Sequence, residues 1–152
     1  MDNFEEAKNR FESAEHAISV MNKIYQVKEL PVAVHYAQVA IEQSAKTIIA
    51  FFNIPEWEHN VSNQLLKVLE EHREEIIEKC GSEIIERIKT LAENNEKTYR
   101  WHEWSIYGKT DEITKKWLLP KTICTEEIAN WILPIAEESF KTAKEFYEKW
   151  QL

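Results

Sequence analysis

Between Tyr99 and Gly108 the chain reads YRWHEWSIYG, which brings Arg100, His102 and Glu103 close together in sequence. A guanidinium is a fixed cation with fork geometry and an imidazole moves a proton near neutral pH, so the stretch is either a reaction site or one crowded run of helix. Their spacing argues against convergence from one helix, because two residues along an α-helix turn by roughly 200°. Helical steps from Ile84/Ile85 through Ile88, Leu91/Ala92, Asn95 and Tyr99 bring His102 and Ile106 onto the core-facing side. A different stripe carries Glu86, Glu93, Glu96, Arg100, Glu103 and Tyr107. His102 therefore reads first as a core histidine, and Arg100, with acids at i−4 and i+3, as a partner in an intrahelical ion pair.

Two further groupings could do chemistry. His35, Gln38, Glu42 and Lys46 follow one another at steps of three, four and four, which aligns them on one side of a helix with Glu42 and Lys46 spaced for an ion pair. A solvated polar face is the simplest reading of that stripe. From Lys109 onward the segment KTDEITKKWLLPKTICTEE is too polar and broken for a long helix, and its length suits a functional loop. In it Lys109, Lys115, Lys116 and Lys121 surround Trp117, a set that can hold a nucleic-acid strand by charge and stacking. The competing reading has Trp117, Leu118 and Leu119 folding back to cover the bundle while the lysines solvate the loop.

Other chemistries lack their residues. Cys80 and Cys124 stand far apart with no CxxC spacing, so neither a disulfide framework nor a metal site is expected. A di-iron bundle needs two Glu-x-x-His pairs, whereas the chain has Glu56 and His59 beside Pro55. Two glycines cannot build a phosphate-cradling loop, and no segment signals a Ser or Cys nucleophile. No cofactor is expected.

The elements that must position these groups are helical. With 2 Gly and 4 Pro in 152 residues, turn chemistry is scarce, and an all-α fold in a single domain over 1–152 follows. Phe4, Ala7, Phe11, Ala14, Ile18, Met21 and Tyr25 predict a first helix, and Pro31 opens a second that runs to about Phe52 with Ala33, Ala37, Ala40/Ile41, Ser44 and Ile48 inward. Val61 through Cys80 predicts a third helix closed by Gly81, and Ser82 is placed to cap the fourth. Thr125 is placed to cap a last helix that Pro134 should kink. The net charge of −8, from 19 basic and 27 acidic residues, opposes indiscriminate phosphate binding. No apolar run reaches the ~20 residues of a membrane span, which with the unremarkable first residues predicts a cytoplasmic protein that does not engage membranes.

The text AVHYAQVAIEQSAKTIIAFFNI followed by HNVSNQLLKVL resembles the HEPN family, the higher eukaryotes and prokaryotes nucleotide-binding domain. The resemblance rests on a Q-x-A-x-E-x-x-x-K core, Gln38, Ala40, Glu42 and Lys46, then His59 opening the next helix, then Arg100, Tyr107 and Gly108. It implies an up-and-down bundle of about five helices that dimerises and works with nucleotides or RNA, often beside a small nucleotidyltransferase in toxin–antitoxin modules. Ribonuclease members of the family carry an Arg and a His about four to six residues apart in a late helix. Here Arg100 and His102 stand closer than that, and Arg10 and His16, which have the spacing, lie in the first helix. The resulting expectation is a homodimeric module without catalysis of its own that binds nucleotide, RNA or such a partner protein. Its candidate ligand-binding residues are Arg100, Glu103, Tyr107, His35, Gln38, Glu42, Lys46, Lys115, Lys116 and Trp117. The alternatives are a metal-independent ribonuclease using Arg100 and His102, and a purely structural protein-interaction bundle.

Overall fold

Apolar residues at steps of three and four carry α1 (Asn3–Gln26), which buries Ala7, Ala14, Ala17 and Met21, in the computed structural model, which describes residues 3–151. Lys28 takes a left-handed backbone (φ 60°) to reverse the chain, and Pro31 sits in the first turn of α2 (Leu30–Ala50), where its missing N–H costs nothing. Ala33, Ala37, Ala40, Ile41, Ser44 and Ile48 are all buried on α2. The alanines and Ser44 allow close approach, and α2 packs on α1 and on several of the later helices as the central helix of an all-α bundle.

Beyond α2 a loop leads to α3 (Ser62–Glu71) and α4 (Arg73–Cys80), where a single helix was predicted. The break falls at His72, whose backbone leaves helical geometry (φ −118°, ψ 18°) while its ring stacks on Phe52 at 4.3 Å. Gly81, at φ +89°, ends α4 as expected, whereas Ser82 makes no side-chain cap to α5 (Glu83–Thr98). A turn at Tyr99–Arg100, both residues keeping helical φ/ψ, separates α5 from α6 (Trp101–Tyr107), and the buried face runs on from Asn95 and Thr98 to Trp101 and Ser105, with His102 half-buried beside them. Ile106, expected inside, is 48% exposed.

The polar segment after α6 forms a hairpin, β1 (Lys109–Thr110) paired antiparallel with β2 (Trp117–Leu118). Asp111 organises its turn: the carboxylate accepts from the Ile113 N–H and the Thr114 hydroxyl, and the Asp111 carbonyl accepts from the Lys115 N–H. Gly108 is required at the hairpin's start, because a Cβ there would lie 2.0 Å from the Leu118 carbonyl oxygen. A short α7 (Pro120–Ile123) leads to Thr125, whose hydroxyl accepts from the Ile128 N–H at 3.2 Å and caps α8 (Glu126–Trp150). α8 continues through Pro134. The shared core runs through Met21, Ile41, Ile48, Leu65, Ile88, Ile132 and Phe146, and none of the described helices is long and apolar enough to cross a membrane.

Candidate functional site

The polar stripe of α2 is inside the protein. Gln38 is fully buried, and Glu42 and Lys46 are each 5% exposed, because α6, α5 and the loop before α3 close over the side of α2 that the sequence reading left to solvent. Burying a carboxylate and an ammonium requires that they satisfy each other, and here they do. Glu42 Oε2 accepts from Lys46 Nζ at 2.9 Å, and Glu42 Oε1 accepts from Gln38 Nε2 at 3.0 Å and from His59 Nδ1 at 2.9 Å. Burial alone would raise the Glu42 pKa, but the hydrogen bonds from Gln38 and Lys46, the Lys46 charge and the His59 bond outweigh it and hold the carboxyl below its ordinary value.

His59 reaches this carboxylate from the loop between α2 and α3, and Asn95 of α5 holds that loop in place. The Asn95 amide donates to the His59 carbonyl at 2.9 Å and accepts from the Val61 N–H at 2.7 Å. A fully buried asparagine thus has both ends engaged. Asn60 extends the arrangement, its side-chain oxygen accepting from the Ser62 N–H at 3.1 Å as α3 begins.

Three imidazoles meet beside Glu42. The His59 and His102 rings stack with centroids 3.6 Å apart, and His35 lies 4.8 Å from His102. Each uses Nδ1 toward the protein: His59 to Glu42, His102 to Gln38 Oε1 at 2.7 Å, and His35 to the Ser105 hydroxyl at 3.2 Å. Since Gln38 spends its amide N–H on Glu42, its oxygen must accept, which places the His102 proton on Nδ1. Burial lowers the pKa of both His35 and His102, and for His102 the neighbouring His59 adds to the effect. Glu42 and one ring nitrogen each from His59 and His102 lie within 4.8 Å of one another, a two-histidine, one-carboxylate group of the kind that can hold a divalent metal.

His59 also faces outward, its side chain 41% exposed, into a cleft of about 470 Å³ lined by Glu58, His59, Asn60, Tyr99, Arg100, Glu103 and Trp104. Arg100 is exposed there. The expected intrahelical ion pair is absent, and Arg100 has no salt bridge among the described residues. Glu96 instead accepts from the Ser62 hydroxyl at 2.5 Å, and the guanidinium Nε donates to the Tyr99 hydroxyl at 3.2 Å. Tyr99 and Trp104 supply aromatic walls.

The candidates from the sequence therefore separate into groups. Arg100 and Glu103 line the cleft, while buried Gln38, Glu42 and Lys46 and half-buried His35 and His102 form the network behind His59. His102 does not line the cleft, so the histidine that shares it with Arg100 is His59. Tyr107 is 66% exposed and is not among the cleft residues. Lys115, Lys116 and Trp117 are exposed on the hairpin, with Trp117 58% exposed rather than folded onto the bundle. The hairpin touches the cleft wall through Lys109, whose ammonium lies 4.4 Å from the Trp104 ring centroid. Missing from the sequence reading were His59 as a site residue and Asn95 as its clamp. The signal for Asn95 was a polar residue on the apolar stripe of α5; for His59 it was a histidine in the loop following a helix with an inward carboxylate. No known family profile, curated protein or solved structure matches the chain.

Proposed function

We propose that this chain is a HEPN-type helical module that binds RNA or a nucleotide through its phosphate in the Arg100–His59 cleft, as a homodimer and without catalysis of its own. The observation that carries the reading is Arg100, an exposed guanidinium without a carboxylate partner at a cleft whose other side is a histidine. An unpaired guanidinium is free for bidentate contact with phosphate, and Tyr99 and Trp104 offer faces on which a base can stack. The hairpin extends the same surface, since its lysines and exposed Trp117 supply charge and stacking in a protein of net charge −8. A small nucleotidyltransferase remains the partner protein suggested by the HEPN likeness.

Anisotropy of a labelled single-stranded RNA at two salt concentrations tests this reading. Arg100→Ala should weaken binding at least about tenfold. Changing Lys115 and Lys116 together to Ala should flatten the salt dependence by roughly 0.7 per lost phosphate contact, and Trp117→Ala should cost ~1–3 kcal/mol with the slope nearly unchanged. RNA binding unaltered by Arg100→Ala would refute the cleft as its seat.

One observation favours a second reading, a ribonuclease. His59 is backed by a buried carboxylate at 2.9 Å and shares the cleft with Arg100, the arrangement of an oriented proton-transfer group beside a phosphate anchor. Cleavage of a mixed RNA pool that is lost in both His59→Ala and Arg100→Ala would establish it over the binding module. Loss in His102→Ala, with His59→Ala retaining cleavage, would return the role to the Arg100 and His102 pair.

A further inference from the structure

We propose that Glu42, His59 and His102 form a site for one divalent transition-metal ion, of the zinc or iron(II) type. Two imidazoles and one carboxylate are a donor set that such ions accept while keeping further positions open. Bonds of about 2.0–2.1 Å in tetrahedral geometry place neighbouring donors roughly 3.3 Å apart. Glu42 Oε1 and His59 Nδ1 are already 2.9 Å apart, and all three donors lie within 4.8 Å of one another. Side-chain shifts that change the donor separations by up to about 1.5 Å, from 4.8 Å to ~3.3 Å, therefore bring the set onto an ion. On binding, His59 carries its proton on Nε2 and presents the Nδ1 lone pair, so the ion takes the place of the hydrogen-bonding proton between imidazole and carboxylate.

The surroundings supply what ligands of a metal need. Lys46 and Gln38 hydrogen-bond the Glu42 carboxylate and fix its orientation, and the Gln38 oxygen holds the His102 ring. Asn95 anchors the backbone of His59. The His59 and His102 ring nitrogens that do not bond Glu42 or Gln38 have no hydrogen bond to protein among the described residues, so a tautomeric change at His59 breaks nothing on the far side of its ring. His59 alone of the three lines the cleft, so its half-exposed ring is the side of the site nearest solvent. The site stands independently of the RNA reading.

The test uses the whole chain, stripped with chelator and free of RNA, titrated with ZnCl₂ by calorimetry and followed by thermal unfolding. The expected result is one ion per chain and a Tm rise of about 5–10 °C at a hundredfold excess of ion over its Kd. His59→Ala, in a half-exposed loop, should abolish the shift, and the milder His102→Asn should weaken binding at least tenfold. His16→Ala, on an exposed turn of α1, should leave both readouts unchanged. Cobalt(II) in place of zinc should give visible absorption that disappears with His59→Ala. No Tm shift in the unaltered chain up to 1 mM zinc, as about the highest concentration free of nonspecific effects, or zinc binding that survives His59→Ala, would overturn the proposal.

Discussion

The buried ion pair of α2 offers the sharpest test of how this protein is held together. Glu42 and Lys46 are 6% and 7% exposed in their side chains and 2.9 Å apart. Glu42→Gln keeps the shape and an acceptor for His59, yet leaves the Lys46 ammonium in a dry interior with no counter-charge. Breaking such a pair from one side costs about 3–5 kcal/mol, a large part of the ~5–15 kcal/mol that stabilises a domain. For a chain of this size each kcal/mol moves Tm by about 2–4 °C, so a fall of roughly 6–20 °C is expected. Lys46→Met should cost toward the lower end, since Glu42 retains hydrogen bonds from Gln38 and His59. Removing both charges together, Glu42→Gln with Lys46→Met, should be less costly than the sum of the two single changes and recover most of the loss, because no uncompensated charge is left. The assay is urea unfolding followed by circular dichroism, at neutral pH with chelator present so that metal does not contribute. Added salt should change the result little, as a buried pair is poorly screened. A Glu42→Gln cost below about 1 kcal/mol, or a double variant as unstable as the sum of the singles, would refute the reasoning: the pair would then be solvated or energetically uncoupled.

Three further outcomes are expected. Gly108→Ala should destabilise the hairpin strongly, since the new methyl meets the Leu118 carbonyl at 2.0 Å, whereas Gly81→Ala, with nothing within 4 Å, should cost only the ~1–3 kcal/mol of backbone strain; equal losses by thermal melting would contradict this. Thr125→Ala should remove the cap of α8 and cost ~1 kcal/mol, while Ser82→Ala, at a residue with no side-chain cap bond, should be close to neutral in the same melts. Cys124 is buried and its thiol is pushed up to about 11, so alkylation at pH 8.5 should run at least about tenfold slower in the native protein than in denaturant; matched rates would show that the thiol is accessible.

Much of the architecture is determined by short-range information that any reader of the chain can use. The steps of three and four in α1, the run of small residues on α2, Pro31 in its first turn, Gly81 past α4 and Thr125 before α8 each act through backbone geometry and burial within a few residues, and they stand where the sequence puts them. The site was less legible, because the same periodicity that aligns Gln38, Glu42 and Lys46 cannot say whether a polar stripe meets water or another helix. A charged face is favourable in solvent, and it becomes favourable inside only when partners arrive from distant segments, here His59 from a loop, His102 from α6 and Asn95 on α5. The divergence of Arg100 and His102 follows from helix rotation alone. What only the tertiary structure decided is that Arg100 stands beside His59 in one cleft, and that the His102 ring stacks on that same histidine, because both meetings depend on a loop distant in sequence folding against α6.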